Sequence, residues 1–267
     1  MNRLDFGTEQ NPLRASSLPT LSECPTMLLI RMYKLMDESR SKEAADTGNV
    51  IHVGIHELHH GKSLEESIEV MGEALERFPE ADFVRCIKHI TAYSIDERQK
   101  GFEVILEEKR IRLEIEPSEN DPTKEKIVIY GTMDQVIRTG NGQLILRDIK
   151  TGKSMSGTDM IMHYAPQLAA YQLGASKLIG EKIQRACIVR TEDYFVKGRN
   201  VIHYAPWTYD ECLSILSFIP SAVAAIRRGE DIRKIGSYCN YCPAGGITAC
   251  TKITAPTTIC LECIPNG

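Results

Sequence analysis

The 267-residue sequence has no apolar run near the roughly 20 residues that cross a bilayer. Its polar start lacks the charged-then-apolar plan of a secretory signal, so no membrane association and a cytoplasmic location are expected. Positive charge is not in excess either. The net charge is -4 and the isoelectric point is about 6.0, which argues against broad electrostatic coating of nucleic acid but leaves room for local basic patches. There is no internal repeat and no low-complexity tract. A nucleotide-binding loop is excluded as well: Gly152, Lys153 and Ser154 end like one, but the required first glycine falls on Arg147. In a reducing compartment the nine cysteines do not imply a disulfide framework, which leaves metal binding or packing.

What is present centres on residues 131–150, GTMDQVIRTGNGQLILRDIK. Asp134 ends one apolar run, 127–133, and Asp148 ends another, 144–146, with Asn141-Gly142 between them as a hairpin-closing dipeptide. Two paired strands bring these carboxylates side by side. Lys150 lies two residues past Asp148 and leaves an extended strand from the same face. Two carboxylates and a lysine at one point suit phosphodiester hydrolysis, in which a divalent ion such as Mg2+ stabilises charge on the phosphate and activates water.

With 42% hydrophobic and 25% charged residues, one main domain with appendages is expected. Residues 1–20 read as a flexible lead, 21–236 as the main domain with a helical first third, and 237–267 as a cysteine-rich tail packing back on the N-terminal region. Helices are expected from Ser22 or Thr20 to Leu35, over 47–60, over 63–78 with Ser63 and Glu66 in capping-box spacing, over 163–179, and over 208–228 behind Thr208. Strands are expected over 102–115, in the hairpin, over 186–190 and over 200–203. Candidate basic patches are Arg31, Lys34, Arg40 and Lys42, then Arg227, Arg228, Arg233 and Lys234, all read as solvated helix faces. Glu107 and Glu108 are further candidate ligands, read as solvated positions.

The tail carries Cys239-x2-Cys242 and Cys260-x2-Cys263, whose spacing fits tetrahedral zinc, with Cys250 between them. Cys86, Cys187 and Cys212 sit in apolar or helical settings and read as packing residues.

The order G-x-x-D (131–134), D-x-K (148–150) and Gln167-x3-Tyr171 resembles the PD-(D/E)XK nucleases, in particular their RecB-like branch. The resemblance implies an α/β (α+β) restriction-endonuclease-like core with a mixed central sheet flanked by helices. It further implies a Mg2+- or Mn2+-dependent deoxyribonuclease, an exonuclease, acting in recombination, repair, phage replication or CRISPR adaptation. Asp134, Asp148, the Ile149 carbonyl and an upstream helical histidine would hold the ion. That histidine is His52, which follows Gly48, although His56, His59 and His60 lie close by. Lys150 would position water and stabilise developing charge, and Gln167 and Tyr171 would hold the strand. The implied partners are DNA, as single strands or duplex ends, and recombination, helicase or CRISPR adaptation proteins. The iron-sulfur members place one cysteine before the core and three after it, which implies a [4Fe-4S] cluster on Cys24, Cys239, Cys242 and Cys250, with Cys260 or Cys263 as substitutes for the last across a long gap from Cys242. Zinc on Cys239, Cys242, Cys260 and Cys263 stays open beside it, as does a non-catalytic DNA-binding scaffold subunit.

Overall fold

The computed structural model, which describes residues 3–32, 42–96, 99–152, 157–192, 197–198, 200–236, 239 and 242, is a mixed α/β protein with a mixed sheet flanked by helices. In chain order the elements are β1 (Leu13–Arg14), α1 (Leu18–Glu23), α2 (Pro25–Met32), α3 (Lys42–His59), α4 (Leu64–Ala74) and α5 (Phe83–Ile95). Then come β2 (Glu103–Ile115), β3 (Ile127–Arg138), β4 (Leu144–Lys150), α6 (Gly157–His163), α7 (Ala165–Ile179), β5 (Arg185–Arg190), β6 (Val201–Tyr204), α8 (Cys212–Ile215) and α9 (Ile219–Arg227). Two compact units are present, one formed by Met1–Glu38, Arg112–Tyr130 and Leu216–Gly267, the other by Ser39–Ile111 and Gly131–Ile215.

In the first unit β1 runs parallel to the start of β3, Leu13 level with Ile129. Gly7 takes φ +75 and its carbonyl accepts from the Val128 N–H at 2.7 Å, a backbone conformation that side chains resist. Leu13, Leu18, Leu21, Ile127, Ile129, Ile219, Val223 and Ile226 are buried. Within the expected lead over 1–20, Phe6, Leu13, Ala15 and Leu18 are buried in this core. The reading of Arg227 is corrected. Its guanidinium is wholly buried, 2.7 Å from Asp121, and donates to the Phe6 carbonyl and Thr123 Oγ1 as well. Arg31, Arg228, Arg233 and Lys234 each meet a partner within the unit: Thr20, Glu230, Asp231 and the Ser22 carbonyl. Lys34 and Arg40 lie outside the described residues.

In the second unit Ser63 caps α4 as its spacing predicts: its hydroxyl accepts from the Glu66 N–H at 3.1 Å, and Glu66 returns a carboxylate to the Ser63 N–H at 2.7 Å. The sheet here has the order β3-β4-β5-β6, antiparallel, parallel, antiparallel. Helices α3, α4 and α5 cover one face through Ile51, Ile55, Met71, Ile90 and Tyr93, which pack with Ile145, Ile149 and Val189 of the strands. At Gly54 a Cβ would fall 2.3 Å from Met71 Sδ, so glycine is what lets α3 and α4 approach. Strand alternation sends Leu146, Asp148 and Lys150 to the face opposite Ile145 and Ile149, where Gln167 of the buried helix α7 reaches Asp148. The expected helix over 208–228 breaks into a 3-10 turn, α8 and α9. Pro220, in the first turn of α9, has no N–H for the preceding turn. By length and mean hydropathy (1.3) the stretch Tyr209–Arg227 could pass for a membrane span, yet it is 39% buried and ends in the ion-paired Arg227.

Candidate active site

The hairpin closes through residues 139–143 rather than through Asn141-Gly142 alone: Gly142 N–H donates to Thr139 at 2.8 Å with φ +82, and Thr139 N–H donates to Gln143 at 3.0 Å. Backbone register is set by Gln135 opposite Arg147 and Arg138 opposite Leu144. One step beyond, pairing gives way to a side chain. The Ile149 N–H donates to Asp134 Oδ2 at 2.5 Å, so a carboxylate stands where a ladder carbonyl would. Asp134 is thereby fixed beside the end of β4. The Ile149 contribution seen here is its N–H, whereas its carbonyl was expected to be the ligand.

Around Asp134 the structure collects His52 and Glu108. His52 Nδ1 lies 3.8 Å from both Asp134 Oδ1 and Glu108 Oε1, and one ligand atom from each of the three residues falls within 4.8 Å of the others. They line a cleft of about 510 Å³ together with Asn49, His56, Glu57 and Arg77. The sequence named Glu107 and Glu108 as candidate ligands but placed both in solvent; regular strand alternation would turn only one of the two inward. They do both turn inward. Glu108 adopts φ +47, a left-handed conformation rare outside glycine, and its carboxylate meets His52 while that of Glu107 meets His56 at 3.0 Å. A non-glycine residue held there inside a strand is strained by about 1 kcal/mol, and such strain collects where function needs a side chain re-aimed.

Asp148 is 2% exposed, with Oδ2 2.8 Å from Lys150 Nζ and Oδ1 accepting from Gln167 Nε2 at 3.3 Å. Burial pushes its carboxyl above the usual range, against the pull of the Lys150 ammonium. Burial acts to lower Lys150, but Asp148 and then Asp134 outweigh it and hold the ammonium above its ordinary value. Tyr164 lends a ring face, 4.5 Å from Nζ. Glu108 is raised to about 7, first by burial and then by the charge of Asp134. Two carboxylates crowded beside an imidazole in this way form a donor set in want of a cation. The residues fit a divalent ion.

Gln167 and Tyr171 share a helix face as expected, yet each is only 4% exposed. They lie in the packed interior beside Asp148 instead of on a surface open to a strand. A buried set also missed from the sequence sits at the end of β5: His89 Nδ1 lies 2.8 Å from Thr191 Oγ1, and its Nε2 lies 2.9 Å from Glu192. Arg85 donates to both Glu192 and the Thr151 carbonyl at 3.0 Å, tying α5 to the end of β4. The i, i+3, i+7 spacing of Phe83, Cys86 and Ile90 behind the Asp82 cap was the signal for that helix.

A family model described as the PD-(D/E)XK nuclease superfamily matches residues 12–247. The chain belongs to that superfamily. As a PD-(D/E)XK protein it is a metal-dependent nuclease, a hydrolase whose substrate is DNA. A solved structure titled "Crystal structure of SSO0001" is similar at a TM-score of 0.46 and 16% identity, over 90% of this chain and 89% of that one. No match was found among the curated proteins.

Of the cysteines, Cys24, Cys86, Cys187, Cys212 and Cys239 are buried, and Cys242 is half-buried. Burial raises the Cys187 and Cys212 thiols to about 12 and that of Cys86 to about 11, which suits packing residues. Cys250, Cys260 and Cys263 lie outside the described residues.

Proposed function

We propose that the chain is a Mg2+- or Mn2+-dependent deoxyribonuclease that degrades DNA from its ends. The observation that carries this reading is the meeting of His52, Glu108 and Asp134 within 4.8 Å in one cleft, with Asp134 hydrogen-bonded to the strand that ends in the Asp148–Lys150 pair. In this reading Asp134, Asp148, Glu108 and His52 hold the ion, the Ile149 carbonyl adds to the shell, and the imidazole favours Mn2+ over Mg2+. Bound there, the ion supplies Lewis-acid stabilisation of the scissile phosphate and eases deprotonation of water.

Lys150 is kept protonated by Asp148 and Asp134, so it acts as a fixed positive charge that orients the attacking water and meets charge developing on the phosphate. Gln167 holds Asp148 from beneath, and Tyr171 packs beside it; both are positioning residues rather than strand contacts. Arg77, exposed on the rim of the cleft, is placed to meet a backbone phosphate. Its net charge of -4 fits a protein that grips DNA locally at the site rather than by wide electrostatic attraction.

We further assign the cysteine tail, 237–267, to a metal staple, a [4Fe-4S] cluster on Cys24, Cys239, Cys242 and Cys250, with zinc on Cys239, Cys242, Cys260 and Cys263 as its rival. Support comes from the segment that leads into Cys239. The Ile232 carbonyl accepts from Thr26 N–H at 3.1 Å and Thr26 Oγ1 at 2.8 Å, and it lies 3.9 Å from Cys24 Sγ. The visible spectrum of anaerobically purified protein, with iron and zinc counts, separates the two. A role in recombination, repair, phage replication or CRISPR adaptation, with helicase or adaptation proteins as partners, belongs to the same proposal, as does a cytoplasmic location.

The test uses linear DNA labelled at one end, in single- and double-stranded form, and a covalently closed circle, with the wild-type chain and Asp148→Ala and Lys150→Ala variants. Cleavage of linear DNA alone, lost in both variants and in the presence of chelator, is expected. Undiminished cleavage by the variants overturns the site, and cutting of the circle overturns the exonuclease assignment. DNA binding without metal-dependent turnover would favour the scaffold reading.

A further inference from the structure

We infer that the chain carries a second metal site, built by His56, His60 and Glu107, for a transition-metal dication such as Zn2+. One ligand atom from each of the three residues lies within 4.8 Å of the others. The two histidines stand four residues apart at the C-terminal end of α3, and the His60 N–H still donates to the His56 carbonyl at 3.1 Å, so the helical turn runs through both. This i, i+4 spacing puts both rings on one face, with centroids 4.1 Å apart. Two imidazoles and one carboxylate form a donor set that suits zinc, with water in the remaining position, and that suits magnesium poorly.

Glu107 is what makes the set more than a surface cluster. Its side chain is only 8% exposed, and Gln135 Nε2 donates to Oε1 at 2.7 Å, so the carboxylate is held in place. The other oxygen, Oε2, is buried, faces His56 Nδ1 at 3.0 Å and His60 Nδ1 at 3.5 Å, and has no hydrogen-bond partner among the described residues. His56 Nδ1 is likewise buried without one. A buried carboxylate oxygen 3.0 and 3.5 Å from two imidazole nitrogens needs a proton or a cation between them, and one dication can serve all three groups at once. His60 Nδ1 also lies 2.9 Å from the His56 carbonyl, but the ring is more than half exposed and free to exchange that carbonyl for an ion.

The left-handed Glu108 links this site to the first. By turning two consecutive carboxylates toward α3, it gives His52 the partner Glu108 and His56 the partner Glu107. An ion on the second set would pin the end of α3 to β2 and thereby fix Glu108. The site is structural and takes no part in cleavage. It stands whether or not the nuclease assignment holds.

Zn2+ counting by equilibrium dialysis on the full chain tests it, with Asp134→Ala to weaken the first site and His60→Ala to remove the second. Any zinc held by tail cysteines is common to all variants and cancels in the comparison. We expect Asp134→Ala to retain an ion whose affinity falls at least ~10-fold when His60→Ala is added. The same zinc should raise the thermal midpoint of Asp134→Ala by more than that of the double variant. Equal binding in the single and double variants overturns the inference. So does loss of one and the same ion by either substitution alone, which would merge His60 into the first site.

Discussion

Two acid–base pairs with buried carboxylates have opposite characters in this chain. Asp121 and Arg227, in the first unit, are both wholly enclosed, and Asp121 also accepts from the Thr123 N–H and hydroxyl at 2.9 and 2.8 Å. Burial works to raise the Asp121 carboxyl, but the Thr123 hydrogen bonds and then Arg227 outweigh it, so the group ends below its usual range. Asp148 and Lys150, in the second unit, are as close, but burial prevails and Asp148 ends above its usual range. The first pair is closed by hydrogen bonds to its carboxylate and exists to hold structure. The second is left short of positive charge next to Asp134, which is the electrostatic signature of a site awaiting a cation.

The contrast predicts different losses. Asp148→Asn should lower DNA cleavage by ~10³-fold or more while the urea midpoint barely moves, because the amide keeps the shape and removes a charge that burial disfavours. Arg227→Ala should do the reverse. It strands a buried carboxylate and should cost about 3–5 kcal/mol in urea unfolding, with cleavage per folded molecule unchanged. Substantial activity in the first variant, or an unaltered midpoint in the second, would erase the distinction.

Glu108 supplies two smaller effects. Its carboxyl is raised to about 7, so an incoming divalent ion must displace a proton below that pH. Mn2+ affinity at the first site should therefore climb as pH rises toward 7 and level off above it, and Glu108→Gln should flatten the climb; calorimetric titrations at several pH values read both. Smallest is the backbone effect. Glu108→Gly relieves the left-handed φ, so the metal-free chain should lose no stability and could gain up to about 1 kcal/mol even as Mn2+ binding weakens. Thermal melts with and without Mn2+ separate these two changes.

Those pairs also mark how far the residues alone could be read. Asp134, Asp148 and Lys150 were legible because each carboxylate ends an apolar run and two-residue alternation carries Lys150 to the face of Asp148. The capping box at Ser63 was legible for a similarly local reason. Glu108 was legible only as one of two candidate ligands read as solvated, because its side chain points inward by breaking the alternation on which strand reading rests. Arg227 ended an amphipathic helix and read as a solvated end; its burial depends on Asp121, more than a hundred residues away in the chain. Leu13 and Arg14 form a strand too short to show a period, visible only through its pairing with β3. His52 was found by resemblance, since nothing local separates it from His56, His59 and His60. Those neighbours have their own fates: burial, then the charge of Arg147, holds His59 down to about 4, where it lies 2.9 Å from the Tyr93 hydroxyl.

In the proposed function Lys150 serves the chemistry beside an ion held by the cluster around His52, Glu108 and Asp134. The most direct measurement pairs Mn2+ affinity with the single-turnover rate of cleavage of end-labelled DNA, for the wild-type chain and for Lys150→Ala. A rate loss of ~10³-fold is expected, with Mn2+ affinity changed by less than ~10-fold. Lys150→Ala cutting at the wild-type rate with Mn2+ bound would contradict it.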